Sequence, residues 1–154
     1  MFSSRSFRDA LSRYPTGVTL VTAFHEGRAV GVTVNSFASV SLDPPLILWS
    51  VASDTERCAL FLAAEDFAVN ILAADQRDLA NACAAQPDLA TIGASWSGET
   101  APLIDGAIAQ LECRRWAVHP GGDHEIIIGE VTGIAEPRKA AALVFHAGTY
   151  GMSG

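Results

Sequence analysis

The sequence predicts a mainly β fold, a small Greek-key barrel with a few short peripheral helices, and three observations predict it. Its apolar segments are short, rich in Val, Ile, Thr and aromatic residues, and bounded by Gly, Pro, Asp and Ser, the pattern of strands and tight turns. They follow one another through hairpin-like connections, with no repeated strand, helix, strand unit that would feed a parallel sheet. The 154 residues show no internal repeat, linker or low-complexity segment, so one domain over 1–154 is expected, long enough to bury about two thirds of its unfolded surface. Because sheet edges must be closed or covered, a barrel is favoured over an open sheet.

Phe7, Ala10, Leu11 and Tyr14 fall at helical spacing with Ser6 as the cap, so a short amphipathic helix opens the chain, and Pro15 and Gly17 end it. Residues 18–24 are rich in β-branched side chains, His25-Glu26-Gly27 forms a turn, and 29–34 return as the second strand of a hairpin. A polar loop follows and closes at Asp43-Pro44-Pro45, with Asp43 as a turn residue. Residues 46–51 are a third strand, apolar enough to be covered on both faces. Asp54 or Thr55 then caps a short helix carrying Cys58, Leu60, Phe61 and Leu62.

Residues 67–72 are a fourth strand, and Asp75 with Asp78 reads as an N-cap and acidic first turn of a helix to about Ala85. Residues 86–106 break into Pro, Gly, Ser and Thr around Trp96, a long loop of the kind that usually covers or serves a site. Residues 107–118, 125–135 and 143–146 supply the remaining strands, separated by 119–123 and 136–139.

Composition removes several functions. Net charge is −7 and the single lysine is Lys139, so no basic face can track a nucleic-acid backbone. No apolar run approaches the roughly 18 residues of a membrane helix, and the first residues lack the apolar core of a signal peptide, so no membrane partner and a cytoplasmic location are expected. Cys58, Cys83 and Cys113 lie 25 and 30 residues apart, match neither a C-x-x-C pair nor a zinc spacing, and are expected as reduced, buried thiols. His25, His119, His124 and His146 show no metal-ligand spacing. Rossmann, P-loop, zinc-protease and nucleophile-elbow signatures are all missing.

The stretch Gly31-Val32-Thr33-Val34-Asn35-Ser36-Phe37-Ala38-Ser39-Val40-Ser41-Leu42-Asp43-Pro44-Pro45 asks for something beyond packing. Thr33, Asn35, Ser36, Ser39 and Ser41 place five neutral hydrogen-bonding side chains within nine residues. By composition they suit a phosphate or a polyol, although Ser, Thr and Asn also serve strands and turns.

Several stretches in order carry a resemblance over nearly the whole chain. They are Phe7-Arg8-Asp9-Ala10-Leu11 running to Pro15-Thr16-Gly17-Val18-Thr19, the stretch 31–45, Phe67-Ala68-Val69-Asn70-Ile71-Leu72 with Asp75-Gln76, Gly122-Asp123-His124 with Gly129-Glu130-Val131, and Gly148-Thr149-Tyr150. Together they resemble the flavin reductase-like family, whose fold is the FMN-binding split barrel, and in particular its short NAD(P)H:flavin oxidoreductases, the small components of two-component monooxygenases. The resemblance implies a homodimer, FMN or FAD held near the subunit interface, and NADH or NADPH stacked on the flavin. The scarcity of Arg and Lys near the proposed groove favours NADH.

Residue by residue, Thr33, Val34, Asn35, Ser36 and Phe37 resemble the family's flavin-contacting segment. Ser39 and Val40 lie where the family approaches the nicotinamide, and Ser41 completes this cofactor-binding run. Ser53, Asp54, Thr55 and Arg57 resemble the flavin-phosphate site at a helix start, where free N–H groups favour an anion. Here the chain departs from its relatives: Asp54 and Glu56 suit a phosphate only if they point outward, and Arg57 would compensate. A solvated helix start with an exposed Glu56/Arg57 pair is the alternative. His124 resembles the family's Gly-Asp-His residue that places the nicotinamide or polarises the flavin, and Tyr150 lies close to the cofactor face. Trp96 and His146 are assigned to packing or a lid.

The resemblance implies hydride transfer from NAD(P)H to flavin, with reduced flavin passed to a partner monooxygenase. The chemistry needs positioned rings rather than a nucleophile or metal. A flavin carrier without turnover, or a reductase of another small acceptor, are the alternatives. Truncating Asn35 or Ser36 is expected to weaken flavin binding with little loss of fold.

Overall fold

The computed structural model describes residues 1–154. In chain order its elements are α1 (Ser4–Ser12), β1 (Thr16–Gly17), β2 (Thr19–His25), β3 (Arg28–Val34), β4 (Ala38–Leu42), β5 (Pro45–Ala52), α2 (Glu56–Ala63), β6 (Asp66–Ile71), a 3-10 turn at Ala74–Gln76, α3 (Arg77–Ala85), β7 (Trp96–Ser97), β8 (Leu103–Ile104), β9 (Ala109–Gly121), β10 (His124–Ala135), β11 (Leu143–His146) and β12 (Thr149–Met152). The main sheet has seven antiparallel strands in the order β3-β2-β6-β9-β10-β5-β4. Consecutive β5 and β6 are separated in it by the β9–β10 hairpin, the over-the-end connection of a Greek key. A second sheet, β1-β11-β12, lies beside it.

Val21 of β2, Val32 of β3, Trp49 of β5, Phe67 of β6, Cys113 of β9 and Ile127 of β10 all belong to one core cluster, so the sheet rolls onto itself as a barrel. α2 closes one end, contributing Cys58, Leu60 and Phe61 to that interior. Arg115 of β9 holds the end of α2 by donating to the Leu62 and Ala64 carbonyls, which places a cation where the helix dipole is negative. Trp49 meets Phe61 edge-on, with ring centroids 5.0 Å apart.

Several expected boundaries differ. Ser3, not Ser6, caps α1: its hydroxyl accepts from Ser6 N–H, and Ser6 answers at Ser3 N–H, a capping box one turn earlier than the apolar spacing shows. The expected polar loop contains β4, an edge strand that pairs with β5 through the Asp43-Pro44 turn. Strand β5 is buried on one face only, through Ile47, Trp49 and Val51. Strands β2, β3 and β6 are the ones covered on both faces; the outer face of β2 and β3 packs under α3 and residues 86–106 in a second core with Leu20, Cys83, Leu89 and Ile104. Asp75 does not cap α3; its carboxylate receives Arg138 Nη2 at 2.6 Å. The β9–β10 turn is only Gly122-Asp123, so both strands run further than expected, and β12 was not foreseen. The three cysteines are buried free thiols, as expected.

Residues 86–106 are fastened rather than loose. Asn70, fully buried in β6, donates to Leu20 O (2.9 Å) and to the Thr22 hydroxyl (3.0 Å) and accepts from Ile104 N–H (2.9 Å). Thr22 in turn donates to the Pro102 carbonyl, and Gln110 Nε2 donates to Ile104 O at 2.8 Å. A buried amide satisfied on three sides is costly to remove, since its partners lose their bonds without gaining water. Asn70→Ala should lower folding stability by roughly 2–4 kcal/mol, measured by urea denaturation; a midpoint within error of the parent would contradict this anchoring role.

Candidate functional site

The rolled sheet is not hydrogen-bonded all the way round. Strand β4 pairs with β5 only as far as Leu48, so the second half of β5 has an edge facing β3 with no ladder across it. One side chain spans that seam. Ser36, just past the end of β3, accepts from Ser50 N–H at 3.0 Å and donates to Ser50 O at 3.2 Å, imitating one rung of a sheet.

Around this rung lies an open cleft of about 300 Å³. One wall is β3 and its exit, Val32 to Ser36; the other is Ser50, Val51 and Ala52 of β5; Thr55 and Arg57 close one end, and His124 sits at the start of β10. The register explains the last placement, since His124 pairs with Ala52 across the β5–β10 ladder. Seven of the residues singled out in the sequence therefore converge: Thr33, Val34, Asn35, Ser36, Thr55, Arg57 and His124.

The others lie outside it. Tyr150 lines an adjoining cleft that shares Thr33, Val34 and Asn35 and adds Phe145, whose ring centroid is 5.2 Å from that of Tyr150. Phe37 lines a third, again with Asn35. Ser39, Val40 and Ser41 belong to β4 and line none of these clefts; Ser53 and Asp54 are exposed before α2 and line none either. Val32, Ser50, Val51 and Ala52 are lining residues that sequence reasoning passed over. Their apolar or small side chains carry no chemical signal: Val32 shares the β3 wall with Asn35 and Ser36, and only the fold puts Ser50, Val51 and Ala52 opposite them.

The hydrogen bonds sort structural from available groups. Thr33 is committed, donating to Ala80 O of α3 at 2.7 Å. Thr55 is the α2 cap: its hydroxyl accepts from Cys58 N–H (3.2 Å) and donates to Ala52 O (2.7 Å). This leaves the first two N–H groups of α2, at Glu56 and Arg57, without helical partners. Asn35 makes no side-chain hydrogen bond and is free to address a ligand.

Arg57 is half-buried in the cleft and pairs with no carboxylate, while Asp54 and Glu56 are exposed and absent from its lining. The exposed Glu56/Arg57 pair of the alternative reading does not form. Burial pushes the Cys83 thiol up to about 11, and the Arg57 guanidinium, with a Thr33 hydrogen bond, pulls the other way.

His124 Nδ1 lies 2.7 Å from Asp123 Oδ1, and this hydrogen bond holds the Asp123 carboxyl below the ordinary carboxylate range. An ionised carboxylate only accepts, so Nδ1 carries the proton and Nε2 is the atom left for the cleft.

A profile of the flavin reductase like domain matches residues 11–153. The chain belongs to that family. It is 47% identical over 151 residues to the FMN reductase (NADH) SmoA of Agrobacterium fabrum, covering 97% of this chain and 86% of that one. It is 32% identical over 148 residues to the flavin-dependent monooxygenase reductase subunit HsaB of Rhodococcus jostii, covering 95% and 76%. Among solved structures, the NADH:FAD oxidoreductase SgcE6 of Streptomyces globisporus, in complex with NAD and FAD fragments, superposes with a TM-score of 0.91 at 36% identity, covering 98% of this chain and 93% of that one.

The donor set fits a flavin. Asn35 and the backbone at the end of β3 offer uncharged groups of the kind ring carbonyls and nitrogens require, and Arg57 with the start of α2 offers the cation and N–H groups a phosphate requires. For Ser36, however, the hydroxyl already holds β5, which revises the expectation of a purely ligand-directed role. Ser36→Ala should destabilise the flavin-free protein by about 1–3 kcal/mol, because the Ser50 N–H and C=O lose their partner. Thermal or urea unfolding without flavin measures it, and an unaltered transition would mean that water replaces the rung at no cost.

Proposed function

We propose that this chain is a flavin reductase that oxidises NADH, or NADPH, reduces FMN or FAD, and supplies the reduced flavin to a partner monooxygenase. The observation that carries this reading is the seam cleft, lined by an unpaired Arg57 at the start of α2, by the uncharged donor Asn35 and by a wall of small side chains. The names of SmoA, HsaB and SgcE6 support the cofactor pair and the monooxygenase partner.

When bound, the flavin supplies an acceptor for a hydride equivalent, and the nicotinamide supplies the donor. The protein's work is placement. Arg57 and the free N–H groups of α2 fix the phosphate end, Asn35 orients the ring edge, and Ser36 keeps β3 and β5 at the spacing that shapes the cleft. His124, tethered by Asp123, offers Nε2 at the junction of the ring site and the solvent-open side. Ser39, Val40 and Ser41 lie on β4, which braces β5, whereas Tyr150 and Phe145 supply an aromatic wall to the adjoining cleft.

The protein acts as a homodimer in this reading. Val40 and Leu42 on β4, and Trp116 and Ile134 on the β9–β10 hairpin, are large apolar side chains left exposed, and Leu42 retains 97% of its accessible surface. Such patches mark contact surfaces. A cytoplasmic location accords with three buried, unpaired cysteines.

Steady-state assays test the reading. NADH consumption should depend on added FMN or FAD and continue for many turnovers in flavin excess, whereas a carrier would stop at one equivalent and a protein of other function would not consume NADH. His124→Ala should lower turnover about tenfold to a hundredfold, as the loss of one charge-assisted hydrogen bond implies, while flavin fluorescence titration shows binding retained. Equal turnover would remove His124 from the site.

A further inference from the structure

Two clefts meet at Asn35, Ser36 and His124. The smaller holds Arg57. The larger, about 790 Å³, opens on the other side of those residues and has α1 as its far wall. That helix buries no residue in either core, yet Arg8, Leu11 and Ser12, spaced to share one helical face, all line the cleft. Its position is fixed by the Ser3/Ser6 capping box and by Ala147 N–H donating to Ser12 O at 2.9 Å, which ties its end to the β11–β12 turn. Arg8 has no ion pair or hydrogen bond, and no acidic residue lines the cleft, in a chain of net charge −7. An uncompensated guanidinium facing a large, acid-free cleft is a site for an anion.

We propose that Arg8 anchors the pyrophosphate of the nicotinamide nucleotide in the α1-walled cleft, while Arg57 anchors the flavin phosphate in the other. This inference rests on the flavin-reductase reading. Each substrate then has its own cation, and the only residues common to both clefts are Asn35, Ser36 and His124, where the two reacting rings meet. The difference in setting fits the difference in ligand. Arg57 is half-buried at a helix start, and Arg8 is exposed on a helix at the surface, where a co-substrate enters and leaves in every turnover.

Initial rates with varied NADH at saturating FMN, together with FMN binding by fluorescence quenching, test the assignment. Arg8→Gln should raise KM for NADH about tenfold or more, with the FMN Kd as in the parent; Arg8→Lys should recover part of the loss. Arg13→Gln, at the C-terminal cap of the same helix but outside both clefts, should keep the parental KM. Added salt should raise the parental KM and leave that of Arg8→Gln nearly flat, a response that a merely structural role would not produce. An Arg8→Gln KM within twofold of the parent, or a weakening of FMN in place of NADH, overturns the assignment. If the parent itself oxidises no NADH in the presence of flavin, the flavin-reductase reading fails; normal parental turnover with an Arg8-independent KM removes Arg8 alone.

Discussion

An antiparallel sheet rolled into a barrel must satisfy the backbone groups of the two edges that come together, and here β3 and the second half of β5 come together without a ladder. Polar backbone left facing a protein interior is costly, so the gap has either to be closed or to be put to use. The chain does both. Ser36 supplies one rung to Ser50, and on the outer side the edge opens into the cleft. Everything that positions the site follows from this arrangement: β4 stops pairing at Leu48, β10 delivers His124 opposite Ala52, and α2 begins where Thr55 bonds back to Ala52.

The rest of the fold keeps the seam at fixed width. Strands β2 and β3 are held from outside by α3 and by residues 86–106, which the Asn70, Thr22 and Gln110 bonds fasten to β6 and β9. Thr33 extends that restraint to the cleft itself through Ala80. On the other side, Trp49, Phe61 and Phe67 fill the barrel end beneath α2. The free groups are then few: Arg57 in one cleft, Arg8 in the other, and Asn35 and Nε2 of His124 where the two meet. None faces a competing carboxylate in its cleft. That suits a pair of phosphate-bearing rings that need aim more than acid–base chemistry.

Much of this was legible in the sequence. The β2–β3 hairpin announces itself through Glu26-Gly27, both with positive φ, between β-branched runs, and the Thr55 cap through its place before an apolar helix. The order of the matching stretches pointed to the family and hence to Asn35, Arg57 and His124. What stayed hidden depended on register and on third partners. Ser39 and Ser41 look like ligand-directed hydroxyls until pairing places them on β4, a strand interrupted by a bulge at Val40. Asp75 has the spacing of a cap, and only the fold brings Arg138 to it from 63 residues away. Ser36 is the sharpest case, because its composition signalled a ligand while its hydroxyl is bonded to the opposite strand. Arg8 lies in one of the matching stretches, Phe7 to Leu11, but nothing in the sequence gives it a role of its own, since an arginine on an amphipathic surface helix has no distinguishing spacing.

The central claim is that the seam cleft holds a flavin by its phosphate through Arg57. Comparing FMN with riboflavin, which lacks the phosphate, isolates that contact. Fluorescence-quenching titrations of the parent and of Arg57→Gln give four dissociation constants and one coupling ratio. The account predicts that the parent binds FMN at least about tenfold more tightly than riboflavin, as a charge-assisted phosphate contact implies, and that the preference disappears in Arg57→Gln. The same FMN preference in both proteins would contradict it and place the phosphate elsewhere.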